Sequence, residues 1–233
     1  MGLGGLEWKV LFLWYAYFMN SQQLARAKGI WKKIGPILLK KYRRDQTFLN
    51  HQNPWELTVA VTLSAQTTDE GVNKVTPHLF KTFPTPEKLA KAPLAKIEKI
   101  ISSLGFYRSK AKYIKAAAKI VADDWGGIIP HDPVELQKLP GIGRKGAVAV
   151  ISNAFPKYAN IGIPVDTHVI RFVKRFGLTA ASDPSKIEQD LMQIIPQKDW
   201  KRAGYAIKEY GRKEGTARGY KKEEDPLVQL LKK

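Results

Sequence analysis

The sequence predicts an all-α protein, on three observations. Apolar residues recur at helical spacing in one segment after another, alternating strand patterns are essentially absent, and short turns join the segments. No fixed-period repeat is visible, so the helices are expected to pack in layers and not as a solenoid. With 233 residues, 44% of them hydrophobic, the chain can bury a real core in one large domain or in two modest ones.

Helix boundaries follow from caps, prolines and breaks. Residues 21–44 carry an apolar face at helical spacing, which the Gly35-Pro36 pair should kink or interrupt. Pro54 suits the first position of a helix over 55–64, although that short apolar run could equally be a strand. Further helices are predicted from Asp69, a candidate N-cap, through Phe83, and over 109–124, 165–176, 184–195 and 198–212.

The charge balance and the residue types limit the class of partner and cofactor. Lys and Arg total 39 against 21 Asp and Glu, a formal net charge of +18. Nucleic acid is the expected partner, although charge alone would also suit a generic basic protein or one at a membrane surface. The chain contains no cysteine, which excludes disulfides, thiolate zinc sites and iron–sulfur clusters. Its 4 histidines are far apart and show no metal-ligand spacing, so no cofactor is expected.

Residues 1–19 form an N-terminal extension with an apolar run, VLFLWYAYFM, over Val10–Met19. The run is too short to span a bilayer, though its length would suit the apolar region of a signal peptide. No small-residue cleavage site follows it, and a true start at Met19 explains the run at least as well. An extra docked helix is a further interpretation.

The stretch LPGIGRKGA at 139–147 predicts a tight turn between two helices. Gly141 and Gly143 can adopt positive φ values and leave room for another backbone to approach. The N–H groups and the dipole at the start of the second helix then favour a phosphate oxygen, a contact that is indifferent to base identity. An ordinary helix–turn–helix corner would use the same turn residues. The cations beside this turn are Lys138, Arg144 and Lys145.

Together with IPVDTHV at 163–169, this stretch resembles the helix-hairpin-helix and loop-plus-aspartate signature of the DNA glycosylase superfamily. The chain is most similar to the endonuclease III family, because SAQTTD at 64–69 and GFYRSKA at 105–111 resemble two further segments of that family. The similarity is collinear over residues 20–211. It implies a base excision repair enzyme, a DNA glycosylase with AP lyase activity that removes oxidised pyrimidines.

The matching residues imply a covalent mechanism with Lys145 as nucleophile and Asp166 as its partner. An amine can displace a damaged base from C1′ and form a Schiff base, from which β-elimination nicks the strand. Because lysine is normally protonated at neutral pH, the site must favour the neutral amine. A helix N-terminus, the neighbouring Arg144 and desolvation against DNA act in that direction. Asp166 would accept a proton or stabilise positive charge on the sugar. Taken singly, Lys145 could be a phosphate ligand and Asp166 a helix N-cap.

The resemblance also implies residues that handle the extruded base. Gln66 would fill the gap in the stack, and Phe106 would be the wedge in the opposite strand, where an aliphatic residue is usual. Asp69 and His168 would line the pocket for the flipped base. Each has a plainer interpretation: a core aromatic for Phe106, a helix cap for Asp69 and a buried histidine for His168.

The chain departs from the family at its C-terminal end. Most endonuclease III relatives carry an iron–sulfur loop there, held by cysteines. Here Gly215 follows the matching run-in, Tyr210–Glu214, where the first cysteine would stand. The cluster cannot form, and the resemblance implies that the chemistry uses no electrons from it. Some electrostatic replacement for its contact with DNA could come from Lys213, Arg218, Lys221 and Lys222.

The family architecture implies two helical domains flanking a DNA-binding cleft. A six-helix domain containing the hairpin would span 45–157, and the second domain would combine 20–44 with 158–233. The expected partner is duplex DNA with damaged bases or abasic sites. We expect a monomer without a membrane partner, cytoplasmic and nucleoid-associated if prokaryotic. The alternatives are another base specificity, a non-catalytic DNA-binding protein and, from the apolar run at 10–19, a membrane-surface protein.

Overall fold

The computed structural model of the protein describes residues 19–214, 223 and 225–232. Within these ranges every regular element is a helix, which confirms the predicted all-α class. Nearly all of the apolar run at 10–19 lies outside the described residues, as do Arg218, Lys221 and Lys222. None of the helices in the described ranges combines the length and hydropathy that a bilayer crossing requires.

The α-helices are numbered here in chain order, and short 3-10 turns occur at Pro156–Tyr158 and Gln197–Asp199. Their bounds are α1 Ser21–Lys41, α2 Pro54–Leu63, α3 Asp69–Thr82, α4 Pro86–Lys91, α5 Leu94–Ile100, α6 Tyr107–Asp123, α7 Pro133–Leu136, α8 Arg144–Ala154, α9 Thr167–Phe176, α10 Pro184–Ile194, α11 Trp200–Lys213 and α12 Pro226–Lys232.

Helix α1 is not interrupted at Gly35-Pro36, so the predicted interruption is wrong. The helix continues to Lys41 with Pro36 inside it. Pro36 lies on the exposed side, while the buried face, which includes Ile34 and Leu38, runs on past it. Packing of that apolar face holds the helix together where the proline ring lacks an N–H donor.

Residues 46–164 form one compact unit, organised around α2. Nearly every side chain of α2 is buried, so this helix lies inside its unit and contacts α3, α6 and α8. The apolar run that could have been a strand is therefore a central helix. The loop after α2 and the turn before α8 are therefore both attached to helices of the same hydrophobic core.

The second unit combines the described residues of 19–45 with those of 165–232. In it α1 packs against α11 and α12, and α9 packs against α11. Aromatic rings stack edge-on or tilted at the centre of these helices, with centroids 4.7 to 6.0 Å apart. The rings belong to Tyr42, Phe172, Phe176 and Tyr210.

A buried hydrogen-bond network ties the start of α12 to this aromatic cluster. The Tyr210 hydroxyl donates to the carboxylate of Asp225, and Arg175 Nη1 donates to the same hydroxyl at 2.8 Å. Burial, followed by the bond to Asp225, raises the pKa of Tyr210 well above its ordinary value. Asp225 is 3% exposed and also receives the Leu227 N–H at 2.9 Å, so it fixes where α12 begins.

Candidate active site

The hairpin between α7 and α8 is held to the core by its apolar side chains and by one glycine. Leu139 and Ile142 are buried, and the Ile142 N–H donates to the Leu139 carbonyl at 3.0 Å. Gly141 has φ +84, and a Cβ there would lie 2.9 Å from Thr62 Cγ2 and 3.2 Å from Tyr113 Cδ2. Only glycine satisfies both the positive φ and the close approach to α2 and α6.

The hairpin delivers the chain to a helix start that no side chain caps. Gly143 is the N-cap of α8, and having no side chain it makes no cap hydrogen bond. The first intrahelical bond runs from the Ala147 N–H to the Gly143 carbonyl at 2.9 Å. Main-chain donors of the first turn and the positive end of the helix dipole are therefore available to an anion.

Cationic side chains lie at or before this helix start. Lys145 is the second residue of α8 and is exposed, while Arg144 is half-buried. Lys138 is also exposed and forms an ion pair with Glu135 at 2.7 Å, which offsets part of its charge. Lys145 is thus presented toward solvent at the end of the helix where partial positive charge accumulates.

Gln66 and Phe106 share an unusual backbone conformation. Among the non-glycine residues that the structure describes, these two have positive φ, +53 for Gln66 and +57 for Phe106. For a residue with a Cβ this left-handed region costs about 1–2 kcal/mol. Both side chains are exposed, and that of Phe106 is 68% exposed, so Phe106 is not a core aromatic.

Asp69 is the first residue of α3, so this helix begins one residue earlier than an N-cap at Asp69 would imply. The N-cap is Thr68, whose hydroxyl accepts the Gly71 N–H at 3.1 Å, so the prediction that Asp69 caps this helix is wrong. Asp69 occupies the first helical position and is half-buried. A threonine hydroxyl caps as an aspartate does, and the sequence TTD offers three residues for one role.

Asp166 and His168 lie in the unit of 19–45 and 165–232, at the start of α9. Asp166 is the N-cap, and its Oδ1 accepts the N–H groups of His168 at 2.8 Å and Val169 at 3.0 Å. Its Oδ2 accepts no hydrogen bond from the described part of the chain. One oxygen therefore orients the carboxylate and the other remains for chemistry.

His168 is held in one orientation by neighbours on two helices. Arg171 Nη2 lies 3.1 Å from the imidazole Nδ1, and a guanidinium can only donate, so Nδ1 is the acceptor and Nε2 carries the proton. The ring packs on Gly211 of α11, where a Cβ would lie 2.4 Å from Nδ1. Burial, followed by the charges of Arg171, Arg212 and Lys208, lowers the pKa of His168, and the charge of Asp166 opposes this.

Comparison with known proteins identifies the family. Residues 59–197 match the model of the HhH-GPD superfamily base excision DNA repair proteins. Endonuclease III of Synechocystis sp. is 46% identical over 197 residues, which is 84% of this chain and 89% of that protein. Endonuclease III of Bacillus subtilis is 43% identical over 185 residues, 79% of this chain and 83% of that protein.

The chain belongs to the endonuclease III family. A solved structure of a trapped endonuclease III–DNA covalent intermediate superimposes with a TM-score of 0.79 and 37% identity, over 91% of this chain and 96% of that one. A thermostable thymine-DNA glycosylase shares the fold, with a TM-score of 0.68 at 21% identity. The resemblance noted in the motifs is thus confirmed as family membership.

The iron–sulfur cluster of this family does not fit the residues present. The chain has no cysteine to supply a thiolate ligand. Among the described residues, no group of three or more His, Asp or Glu side chains is placed to hold a metal ion. In the unit of 19–45 and 165–232, the Tyr210–Asp225 hydrogen bond joins α11 to the start of α12.

Lys110, which the sequence indicates only as part of the motif at 105–111, lies close to the candidate site. Lys110 of α6 is 3% exposed, and its Nζ donates to the Thr67 hydroxyl. A signal for this burial was present, because Lys110 shares a helical face with the buried Ile114, Ala117 and Val121.

The depressed pKa of His168 predicts acid sensitivity of the fold. Below the ordinary histidine pKa of about 6.5 the unfolded chain binds a proton that folded His168 does not, so stability falls as the pH drops from there toward the folded-state pKa. We expect H168Q to flatten this dependence in urea unfolding measured from about pH 7.5 to pH 5.5. Equal slopes for the two proteins would contradict the prediction.

Proposed function

We propose that this protein is a bifunctional DNA glycosylase and AP lyase of base excision repair, acting on oxidised pyrimidines in duplex DNA. The observation that carries the proposal is the position of Lys145, exposed at the uncapped start of the helix that follows the hairpin. A phosphate bound by that helix start would bring a deoxyribose within reach of the Lys145 amine.

The proposed reaction first joins Lys145 to the sugar as the base leaves, and then breaks the strand. Nζ of Lys145 attacks C1′ as the bond from C1′ to the base nitrogen breaks, and the base leaves with a proton. The sugar ring opens, and the nitrogen and C1′ form a Schiff base. Loss of a proton from C2′ then expels the 3′ phosphate by β-elimination, which nicks the strand.

Asp166 would assist because its orientation is fixed before DNA arrives. Two main-chain N–H groups hold Oδ1, so Oδ2 can take up a proton or face the positive charge that develops on the sugar. The proposal requires Lys145 and Asp166 to act on the same nucleotide. The N-cap interpretation and the catalytic one are therefore compatible for Asp166.

The remaining predicted site residues would position the DNA. Gln66 and Phe106 would enter the stack around the flipped nucleotide, and Asp69 and His168 would contact the extruded base. The formal charge of +18 supplies a general attraction for the duplex. We further propose that the enzyme acts as a monomer, needs no metal or cluster, and works in the compartment that holds chromosomal DNA.

Borohydride trapping tests the proposal. The full-length protein is incubated with a duplex containing one abasic site, and with duplexes that each contain one modified base. A reduced covalent adduct on the abasic duplex, and release of oxidised pyrimidines, are expected. Release of mismatched or alkylated bases instead would identify another specificity. Binding that retards DNA without any adduct would show a non-catalytic DNA-binding protein.

A further inference from the structure

Two loops carry the side chains proposed to enter the DNA stack. The Gln66 loop comprises residues 64–68, between α2 and α3, and the Phe106 loop comprises residues 101–106, between α5 and α6. They lie against each other, since a Cβ on Gly105 would be 3.8 Å from the main-chain oxygen of Gln66. Each loop contains one non-glycine residue in the left-handed region. Conformations of this kind persist only where the surroundings hold them.

Lys110 is bonded to both loops at once. Its main-chain N–H donates to the carbonyl of Phe106 at 3.1 Å. This bond attaches the first turn of α6 to the last residue of the Phe106 loop. Its side chain runs under the surface, and Nζ donates to the hydroxyl of Thr67, the residue that directly follows Gln66. One buried residue therefore links the main-chain carbonyl of Phe106 to the side-chain hydroxyl of Thr67, the neighbour of Gln66.

Stability of the core does not by itself account for a lysine here. In the described part of the chain, Nζ has no carboxylate partner, and burial lowers the pKa of Lys110. A buried amine without a counter-charge is costly, whereas a methionine of similar length would fill the same space without that cost. What the lysine adds, and an apolar residue cannot, is the directed hydrogen bond to Thr67.

We propose that Lys110 is a positioning residue that locks the Gln66 and Phe106 loops together, so that both side chains enter the duplex as one rigid element. The inference rests on the proposed function and adds a residue to it. Lys110 is buried and does not touch the DNA; it acts through the two loops. The amide side chain and the aromatic ring then meet the two strands at a fixed spacing.

This role concerns extrusion of a paired base and not the bond-breaking steps. Turning a base out of a duplex costs unstacking and unpairing energy that the inserted side chains must offset. An abasic site in a single strand has no base to extrude. Loosening the link should therefore slow the enzyme on a paired lesion and spare it on abasic single-stranded DNA.

The experiment compares K110M and T67V, which each remove the link from one side, with the double variant. Single-turnover rates are measured on a duplex with one oxidised pyrimidine and on single-stranded DNA with one abasic site. The matched control is K115M, because Lys115 lies on the same helix and donates to the carbonyl of Ala92, away from both loops. T67V removes the same hydrogen bond by changing one small side chain, so the link can still be tested if K110M does not fold.

We expect each single variant to lose about 10- to 100-fold on the paired lesion, the scale of one lost charge-assisted hydrogen bond. On the abasic single strand they should stay within about twofold of the parent, and the double variant should be no worse than the singles. Equal losses on both substrates, no loss on the duplex, or a similar loss in K115M would overturn the inference. A parent protein inactive on both substrates would instead overturn the proposed function, and this inference with it.

Discussion

Replacing Lys145 with alanine should abolish the borohydride-trapped adduct and lower strand nicking at an abasic site by about 10⁴-fold or more, since it removes the amine proposed to form the Schiff base. The side chain is exposed, and alanine is a good helix former, so the fold should be unaffected. DNA affinity should fall only modestly, because a single charge is lost. Gel analysis measures the trapped adduct and the nicked strand, and a filter-binding titration measures the affinity for DNA.

K138A is the matched comparison for K145A. Lys138 belongs to the same hairpin and is also exposed, but its ammonium is paired with Glu135 and is not proposed as the nucleophile. The K138A protein should bind DNA more weakly and still form the adduct. If K145A still formed an adduct in normal yield, another amine would be the nucleophile and the proposed mechanism would be wrong.

Two substitutions at Asp166 should separate its structural role from its chemical one. Asparagine keeps an oxygen that can accept the N–H groups of His168 and Val169, so D166N should unfold within about 0.5 kcal/mol of the parent. It removes the carboxylate, and the single-turnover rate should fall by about 10²- to 10⁴-fold. D166A removes both roles and should in addition cost about 1 kcal/mol of stability.

The diagnostic quantity is the ratio of rate loss to stability loss. Urea unfolding and single-turnover kinetics on the same abasic duplex provide it for both variants. If D166N kept a near-parental rate, the role of Asp166 would be limited to capping α9. D166N as unstable as D166A would mean that the cap depends on the charge and not on the geometry of the acceptor.

Much of the fold could be read from the sequence, because helix periodicity and capping are local. The predicted helices at 165–176 and 184–195 correspond to α9 and α10 with ends shifted by two residues or fewer. The interruption at Gly35-Pro36 failed because tertiary packing of α1 outweighs the missing N–H of one exposed proline. The cap at Asp69 failed because the Thr68 hydroxyl can also accept an N–H of the first turn and stands one residue earlier.

Those features of the candidate site that depend on three-dimensional contacts could not be predicted from the sequence. The motifs indicated Gln66 and Phe106, but nothing local to either residue predicts a left-handed backbone, which favours glycine. The link from Lys110 to Thr67 joins a residue of α6 to one in the loop between α2 and α3, 43 positions earlier, so neither spacing nor composition could indicate it. Arg171 likewise determines which nitrogen of His168 carries the proton, and only the folded arrangement shows that.

The uncapped start of α8 also bears on how this protein can change over time. The groups that could bind an anion there are main-chain N–H groups. A substitution in the first turn of α8 therefore keeps them, unless the new residue is proline. Gly141 is different, because its conformation and its contact with Thr62 both forbid a side chain. Natural variation in this hairpin should therefore be broad at most solvent-facing positions and nearly absent at that one glycine.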